Sequence, residues 1–208
     1  QITHPILRRA AILERLGVKL DGTQMEIFFN DKDRSEAISF LNKNRMTAKE
    51  FVYLNVGASL PHKRWSSEKI ISLARLFLEK TSLGIVLGGG PEDTKIIEKL
   101  EGQLGKQRVA HTFHRSLRAN CALINQARLM ITTDTGPMHI AFATKTPTVA
   151  LFGPTHQEYS GPCQIDSKLC QIIQSTSREN INHTTMDKAD YFDSTTIDMV
   201  WEKARFLM

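Results

Sequence analysis

Strands alternating with helices predict an α/β fold, a Rossmann-like parallel sheet with helices on both faces. Three observations carry that expectation. From residue 51 to residue 155, short apolar runs alternate with helix-length amphipathic stretches. The runs at 51–56, 84–87 and 129–133 lack an in-out alternation, as strands covered on both faces do. Glycine and proline then punctuate the ends of these runs, at 57, 88–91, 136–137 and 153–154.

Taken in order, residues 5–16 read as a helix with Ile6, Leu7, Ala10, Leu13 and Leu16 on one side, ended by Gly17. A short strand is expected at 25–29, a short helix at 35–42 and a polar connector at 42–49. The strand at 51–56 runs into the loop 57–65, and Ser66 caps a helix to about residue 80 with Ile70, Leu73, Ala74, Phe77 and Leu78 inward. The strand 84–87 runs into three glycines at 88–90. Pro91 as the first helical residue, with Glu92 and Asp93 in the first turn, starts a helix to about residue 104. A short strand follows at 108–110, and Ser116 caps a helix to about 125 with Leu117, Cys121 and Ile124 on the buried side. The segment 129–155 (LMITTDTGPMHIAFATKTPTVALFGPT) reads as strand, tight turn, short helix, second buried strand and loop. A strand at 170–174, a polar loop at 176–193 and a terminal helix at 196–207 complete the chain, the last burying Ile197, Val200, Trp201, Ala204 and Phe206.

The 208 residues, 41% hydrophobic and 24% charged, suit one large or two small globular domains. No apolar run approaches the roughly 18 residues a bilayer span needs, and no signal peptide is evident. The chain begins at Gln1, so a fragment or a processed form is expected. Three cysteines without a CxxC spacing indicate neither a disulfide framework nor a zinc site, and a reducing cytoplasm is expected. The net charge of +5 is spread along the chain with no aromatic-basic interleaving, so no nucleic-acid partner is expected. A phosphorylated ligand or an acidic membrane surface accounts for the charge as well.

Three strand-to-helix loops should emerge at one carboxyl edge of the sheet, where open α/β sheets bind ligands. The first carries Ser59, Lys63 and Arg64, the second Glu92 and Asp93, the third Asp134, Thr135, Gly136, Pro137 and His139. Lys63 or Arg64 can neutralise a diphosphate, or both are solvated surface charges. Glu92 can accept from ribose hydroxyls or serve the helix dipole alone. The amides around Gly136 form an anion site at a helix N-terminus. His139 can donate to a sugar or phosphate oxygen, or be structural. Trp65 reads as packing, and so does the side chain of Met138, although it belongs to the same signature run. His111 and His114 lack the supporting ligands of a metal site, so no metal and no cofactor are assigned.

The run DTGPMH at 134–139, followed by TPTVALFGPT at 146–155, resembles the signature of glycosyltransferase family nine, the bacterial lipopolysaccharide heptosyltransferases. The segments 57–65 and 88–93 stand in matching order, and the resemblance covers roughly residues 50 to 160. It implies the C-terminal half of a GT-B enzyme that transfers heptose from ADP-heptose, with inversion and without metal, to a lipid A–Kdo core in lipopolysaccharide synthesis. Carried over by position, Ser59 and Lys63 contact the donor phosphates and Glu92 or Asp93 the ribose. Arg115 and Ser116 border the adenine. Thr135 and Gly136 present backbone donors to the diphosphate, Pro137 and Met138 belong to the same substrate-binding run, and Asp134 and His139 face the sugar. The resemblance also implies a cytoplasmic protein that can associate with the inner face of the bacterial inner membrane.

Two departures stand out. Lys145 occupies a helix end where the family usually has Gly, which costs on the order of 1 kcal/mol if φ is positive there. Of the family's N-terminal half, which binds the acceptor and supplies the general base, residues 1 to about 45 resemble at most the trailing edge and linker. The catalytic residue is therefore unassigned, and the expected parts are 1–48 (linker and trailing edge of the N-terminal half), 49–193 (nucleotide-sugar-binding domain) and 194–208 (terminal helix). The alternatives are a non-catalytic nucleotide-binding module, another sugar-nucleotide donor, or an epimerase of the same fold.

Overall fold

A computed structural model describes residues 4–112, 115–163, 166–176 and 191–208. Six strands form one parallel sheet: β1 (Phe51–Asn55), β2 (Gly84–Gly88), β3 (Val109–His111), β4 (Leu129–Thr133), β5 (Thr148–Phe152) and β6 (Cys170–Gln174). Their order is β3-β2-β1-β4-β5-β6, with Val52 beside Leu129 and Leu54 beside Ile131 at the centre. The winding reverses between β1 and β4, so the loops leaving their carboxyl ends diverge and leave a crevice.

Every residue of β1, β2, β4 and β5 is buried, which the uninterrupted apolar runs require. Alternate β1 residues serve the two faces. Val52 and Leu54 pack with α3 (Ser67–Lys80), α4 (Thr94–Leu104) and α8 (Ile197–Leu207) through Phe77, Ile97 and Val200. Phe51 and Tyr53 pack with α2 (Asp31–Lys43) and α5 (Leu117–Gln126) through Phe40, Leu41, Ala122 and Leu123. Helix α6 (Gly136–Ala143) adds Met138 and Phe142 against β5.

Several local expectations change. Residues 25–29 form no strand; instead Met25 packs against the Met138–Phe142 cluster and Phe29 against the α2–α5 cluster. Helix α2 starts four residues earlier than 35, because Asn30 and Asp33 form a reciprocal capping box at 2.9 and 3.0 Å. Pro91–Asp93 is a separate 3₁₀ turn, and α4 begins only at Thr94. Leu117 and Phe206, expected inside, are 70% and 64% exposed. For Phe206 the inward positions are taken by Leu207 and Met208. A short helix α7 (Gln157–Ser160) was not expected. Residues 177–190 of the expected polar loop, and His114, lie outside the described residues.

Helix α1 (Pro5–Arg15) forms and is closed by Gly17 at φ +79°, yet none of its residues is buried. It is tied to the body where His4 Nε2 meets the Gly161 carbonyl at 3.0 Å. Lys145 does have positive φ, +55°. Its amide reaches Phe142 O at 3.2 Å and that of Thr146 reaches Ala141 O at 2.9 Å, the two bonds of a Schellman closure for α6. Among the described residues no helix is long and apolar enough to cross a membrane.

Candidate functional site

The crevice between β1 and β4 is a cleft of about 710 Å³, walled by the loops after β1, β2 and β4 and by one face of α5. Asn55, at the end of β1, fixes its floor. Its Nδ2 donates to Gly57 O at 3.0 Å, to Thr135 Oγ1 at 3.2 Å and to Thr132 Oγ1 at 3.3 Å, stitching the ends of β1 and β4 together. The Thr135 hydroxyl in turn donates to Thr133 O at 3.2 Å and gives α6 no side-chain cap. Pro137, in the first turn of α6, has no N–H to satisfy. Of the other first-turn amides of α6, that of Met138 donates to Thr135 O at 3.0 Å; that of Gly136 has no acceptor within the helix and lies at the cleft wall formed by Thr135, Gly136, Pro137 and His139. That end attracts an anion.

Opposite stands Lys63, at the end of a 3₁₀ turn (Pro61–Lys63) in the loop after β1. Its Nζ is 2.7 Å from Asp134 Oδ2, while Ser160 Oγ on α7 donates to Asp134 Oδ1 at 2.8 Å. Burial pushes the Asp134 carboxyl up, but hydrogen bonds from Lys63 and Ser160, the Lys63 charge and a hydrogen bond from Thr155 together hold it below its ordinary value. For His139, burial lowers the pKa, Asp134 opposes, and the charges of His4 and Lys63 lower it further, so the ring is neutral near pH 7. Both Asp134 oxygens are engaged, so this end of the cleft offers cations and amides to an anion, not an open carboxylate pair to a metal.

The second loop is braced from beneath. Asp93 is 1% exposed; Arg64 pairs with it at 2.8 Å, and Gly90 N donates to its other oxygen at 2.9 Å. Arg64 Nε also donates to Ala58 O at 3.0 Å. The pair thus straps the loop after β1 to the loop after β2, and a Cβ on Gly57 would overlap the Asp93 carboxylate. Glu92, exposed, is the carboxylate left facing the cleft. Along the third wall, Arg115 donates to Glu36 O at 2.5 Å and lies over the Phe40 ring at 4.8 Å, docking it on α2; burial lowers its pKa and Glu36 opposes. Ser116 caps α5 through Ala119 N at 3.1 Å. Deep in the same wall, burial pushes the Tyr53 phenol up to about 12.

Of the residues singled out in the sequence, Ser59, Lys63, Glu92, Asp93, Arg115, Asp134, Thr135, Gly136, Pro137 and His139 line the cleft together. Arg64, Ser116 and Met138 do not: the first is a brace, the second a helix cap, and the third is fully buried packing. Asn55, Asn120, Thr155 and Ser160 line it without having been singled out. A lone Asn closing an otherwise apolar strand was the available signal for Asn55; nothing in the local pattern marks Ser160, which reaches Asp134 from 26 residues away.

The model of glycosyltransferase family 9 (heptosyltransferase) matches residues 3–189. The lipooligosaccharide heptosyltransferase 2 of Campylobacter jejuni serotype O:6 is 28% identical over 166 residues, covering 77% of this chain and 50% of that protein. That of Haemophilus ducreyi is 29% identical over 141 residues, covering 61% and 40%. The chain therefore spans half or less of these curated relatives' lengths. Among solved structures, the family 9 glycosyltransferase of Veillonella parvula gives a TM-score of 0.85 at 24% identity, over 100% of this chain and 60% of that one. An Escherichia coli heptosyltransferase solved with ADP gives 0.71 at 19% identity, over 100% and 58%. These two likenesses show the fold.

Proposed function

The chain belongs to glycosyltransferase family 9, and from that premise we propose that it is the nucleotide-sugar-binding region of a heptosyltransferase that uses ADP-heptose as donor. One observation carries the reading: Lys63 faces the uncapped N-terminus of α6 across the cleft where the sheet's winding reverses. A diphosphate fits between a cation and the amides of Thr135 and Gly136. The ADP in the Escherichia coli relative supports the choice of nucleotide.

In this reading the diphosphate draws Lys63 from Asp134 and lies on the amides of Thr135 and Gly136, beside Ser59. Glu92 accepts from the ribose, since the Asp93 carboxylate is already bound to Arg64 and Gly90. The base lies along α5 beside Arg115, while Asp134, released from Lys63 but still held by Ser160, and neutral His139 face the sugar. Departure of ADP from the anomeric carbon builds negative charge on the diphosphate, which Lys63 and the α6 amides stabilise, so the reaction needs no metal.

The acceptor is the lipid A–Kdo inner core, and the general base comes from the half of the enzyme that relatives carry beyond the matched region. Residues 49–193 form the donor domain, 1–48 the linker and trailing edge of the other half, and 194–208 a terminal helix. The enzyme works in the cytoplasm at the inner face of the membrane that holds its acceptor. These residues alone bind donor and transfer nothing at a useful rate.

Calorimetric titration with ADP, UDP and ADP-heptose, without added metal, tests the proposal. Adenine-selective binding is expected, and Lys63→Ala should weaken ADP by about 1–3 kcal/mol. An unchanged ADP affinity in that variant would remove Lys63 from the phosphate site, and no binding of any nucleotide would sink the reading.

A further inference from the structure

We propose that Gln174, at the carboxyl end of β6, is a positioning residue that holds Asp134 towards the donor's sugar through the loop and short helix at 153–160; the proposal rests on the nucleotide-sugar reading above. Gln174 is not among the residues that line the cleft. Its neighbour across the ladder is Phe152, the last residue of β5. Beyond that pair the chain leaves the sheet, and the Gln174 carboxamide continues where the backbone ladder stops. Its Nε2 donates to Phe152 O at 3.3 Å, Gly153 O at 3.1 Å and Thr155 O at 3.3 Å, while its Oε1 accepts from Gln157 N at 3.0 Å. The site needs donors and an acceptor in one flat group; a carboxylate lacks the donors and an ammonium the acceptor.

Helix α7 spans four residues and is too short to hold itself. Its first amide is taken by Gln174, and its second, Glu158 N, donates to His156 Nδ1 at 3.1 Å. Fixed in this way, α7 ends on Ser160, whose Oγ donates to Asp134 Oδ1 at 2.8 Å. The loop before it carries Thr155, whose side chain also hydrogen-bonds to Asp134. The remaining partner of that carboxylate is Lys63. Once the diphosphate draws Lys63 away, the direction of Asp134 is left to Thr155 and Ser160, and both sit on the segment that Gln174 pins. The same bonds help to keep the Asp134 carboxyl below its ordinary value, so loosening them raises it.

The test titrates the full chain with ADP and with ADP-heptose by calorimetry, in neutral buffer and then as the pH is lowered. Gln174→Met, of similar length but without the amide, should weaken ADP-heptose about tenfold and leave ADP nearly unchanged. Gln174→Glu, which loses the donors, should do the same. In both variants the acid limb of ADP-heptose binding should lie at higher pH than in the wild type, the ligand's own titration being common to all three. Ser160→Ala should also weaken ADP-heptose, whereas Ser160→Thr, which keeps the hydroxyl, should not. In the double variant the losses from Gln174→Met and Ser160→Ala should overlap and not multiply. Calorimetry reads affinity separately from the amount of competent protein, so a partly unfolded sample does not hide these ratios. An equal loss of both ligands, an unchanged affinity for ADP-heptose, an acid limb that stays in place or losses that multiply would overturn the role of Gln174 while leaving the nucleotide site standing. A wild type that binds neither ligand would overturn both.

Discussion

Asp134 is 7% exposed and gripped from two sides, by Lys63 at 2.7 Å and Ser160 at 2.8 Å. Its folded pKa lies below the ordinary 3.8, so the folded state favours the charged form. The resulting stability is fully present above about pH 4 and is lost as pH falls through the lowered folded value. Asp134→Asn should therefore be less stable than wild type at pH 7, with the gap closing towards about pH 2; urea unfolding across that range measures it. A second residue bears on the same cleft from below. Gly57→Ala would push its methyl group into the Asp93 carboxylate and split the Arg64–Asp93 strap. A cost of about 1–3 kcal/mol is expected in chemical denaturation, together with weaker ADP binding. At this scale the sequence placed residues well where they stand directly at a strand-to-helix junction, as Lys63 and Gly136 do in the cleft wall. It did not place Arg64, because a guanidinium next to a cleft lysine looks the same on paper whether it serves a ligand or a buried aspartate.

The elements were legible where both faces are covered, since the apolar runs of β1, β2, β4 and β5 admit no other reading. They were less so where packing decides. Residues 25–29 have strand composition but find no sheet edge, and Met25 and Phe29 instead plug two separate clusters. Leu117 looked like core because it falls on the periodic stripe of α5, yet the stripe's first turn overhangs the cleft. Helix α6 ends on Lys145 in the left-handed region, with the two Schellman bonds formed despite the Cβ. Lys145→Gly should relieve that strain and stabilise the chain by about 0.5–1 kcal/mol, read as a higher denaturant midpoint at unchanged slope. A lower midpoint would mean that the lysine side chain contributes packing outweighing the strain.

For the molecule as a whole, strand order could not be read from the chain, because every crossover between parallel strands returns through a helix whatever neighbour it reaches. The observed order puts the loops after β1 and β4 at the crevice, and the distant Lys63 and Asp134 meet there. Ligand binding at such a junction couples to global stability. At a concentration of ADP about one hundred times its Kd, the folded state should gain about 2.7 kcal/mol. For a chain of this size that raises the Tm by about 5–10 °C in a thermal melt, and no shift would mean that ADP does not bind the folded chain. The Lys63–Asp134 pair has one more consequence. An empty cleft that already neutralises its own lysine offers little to inorganic phosphate or chloride, which must break an ion pair and bring a single charged group in return. A ligand carrying a diphosphate, a ribose and a base compensates for that break at several points at once. On the proposed reading the pair therefore disfavours the small anions that crowd any biological fluid and favours a ligand with more than charge to offer.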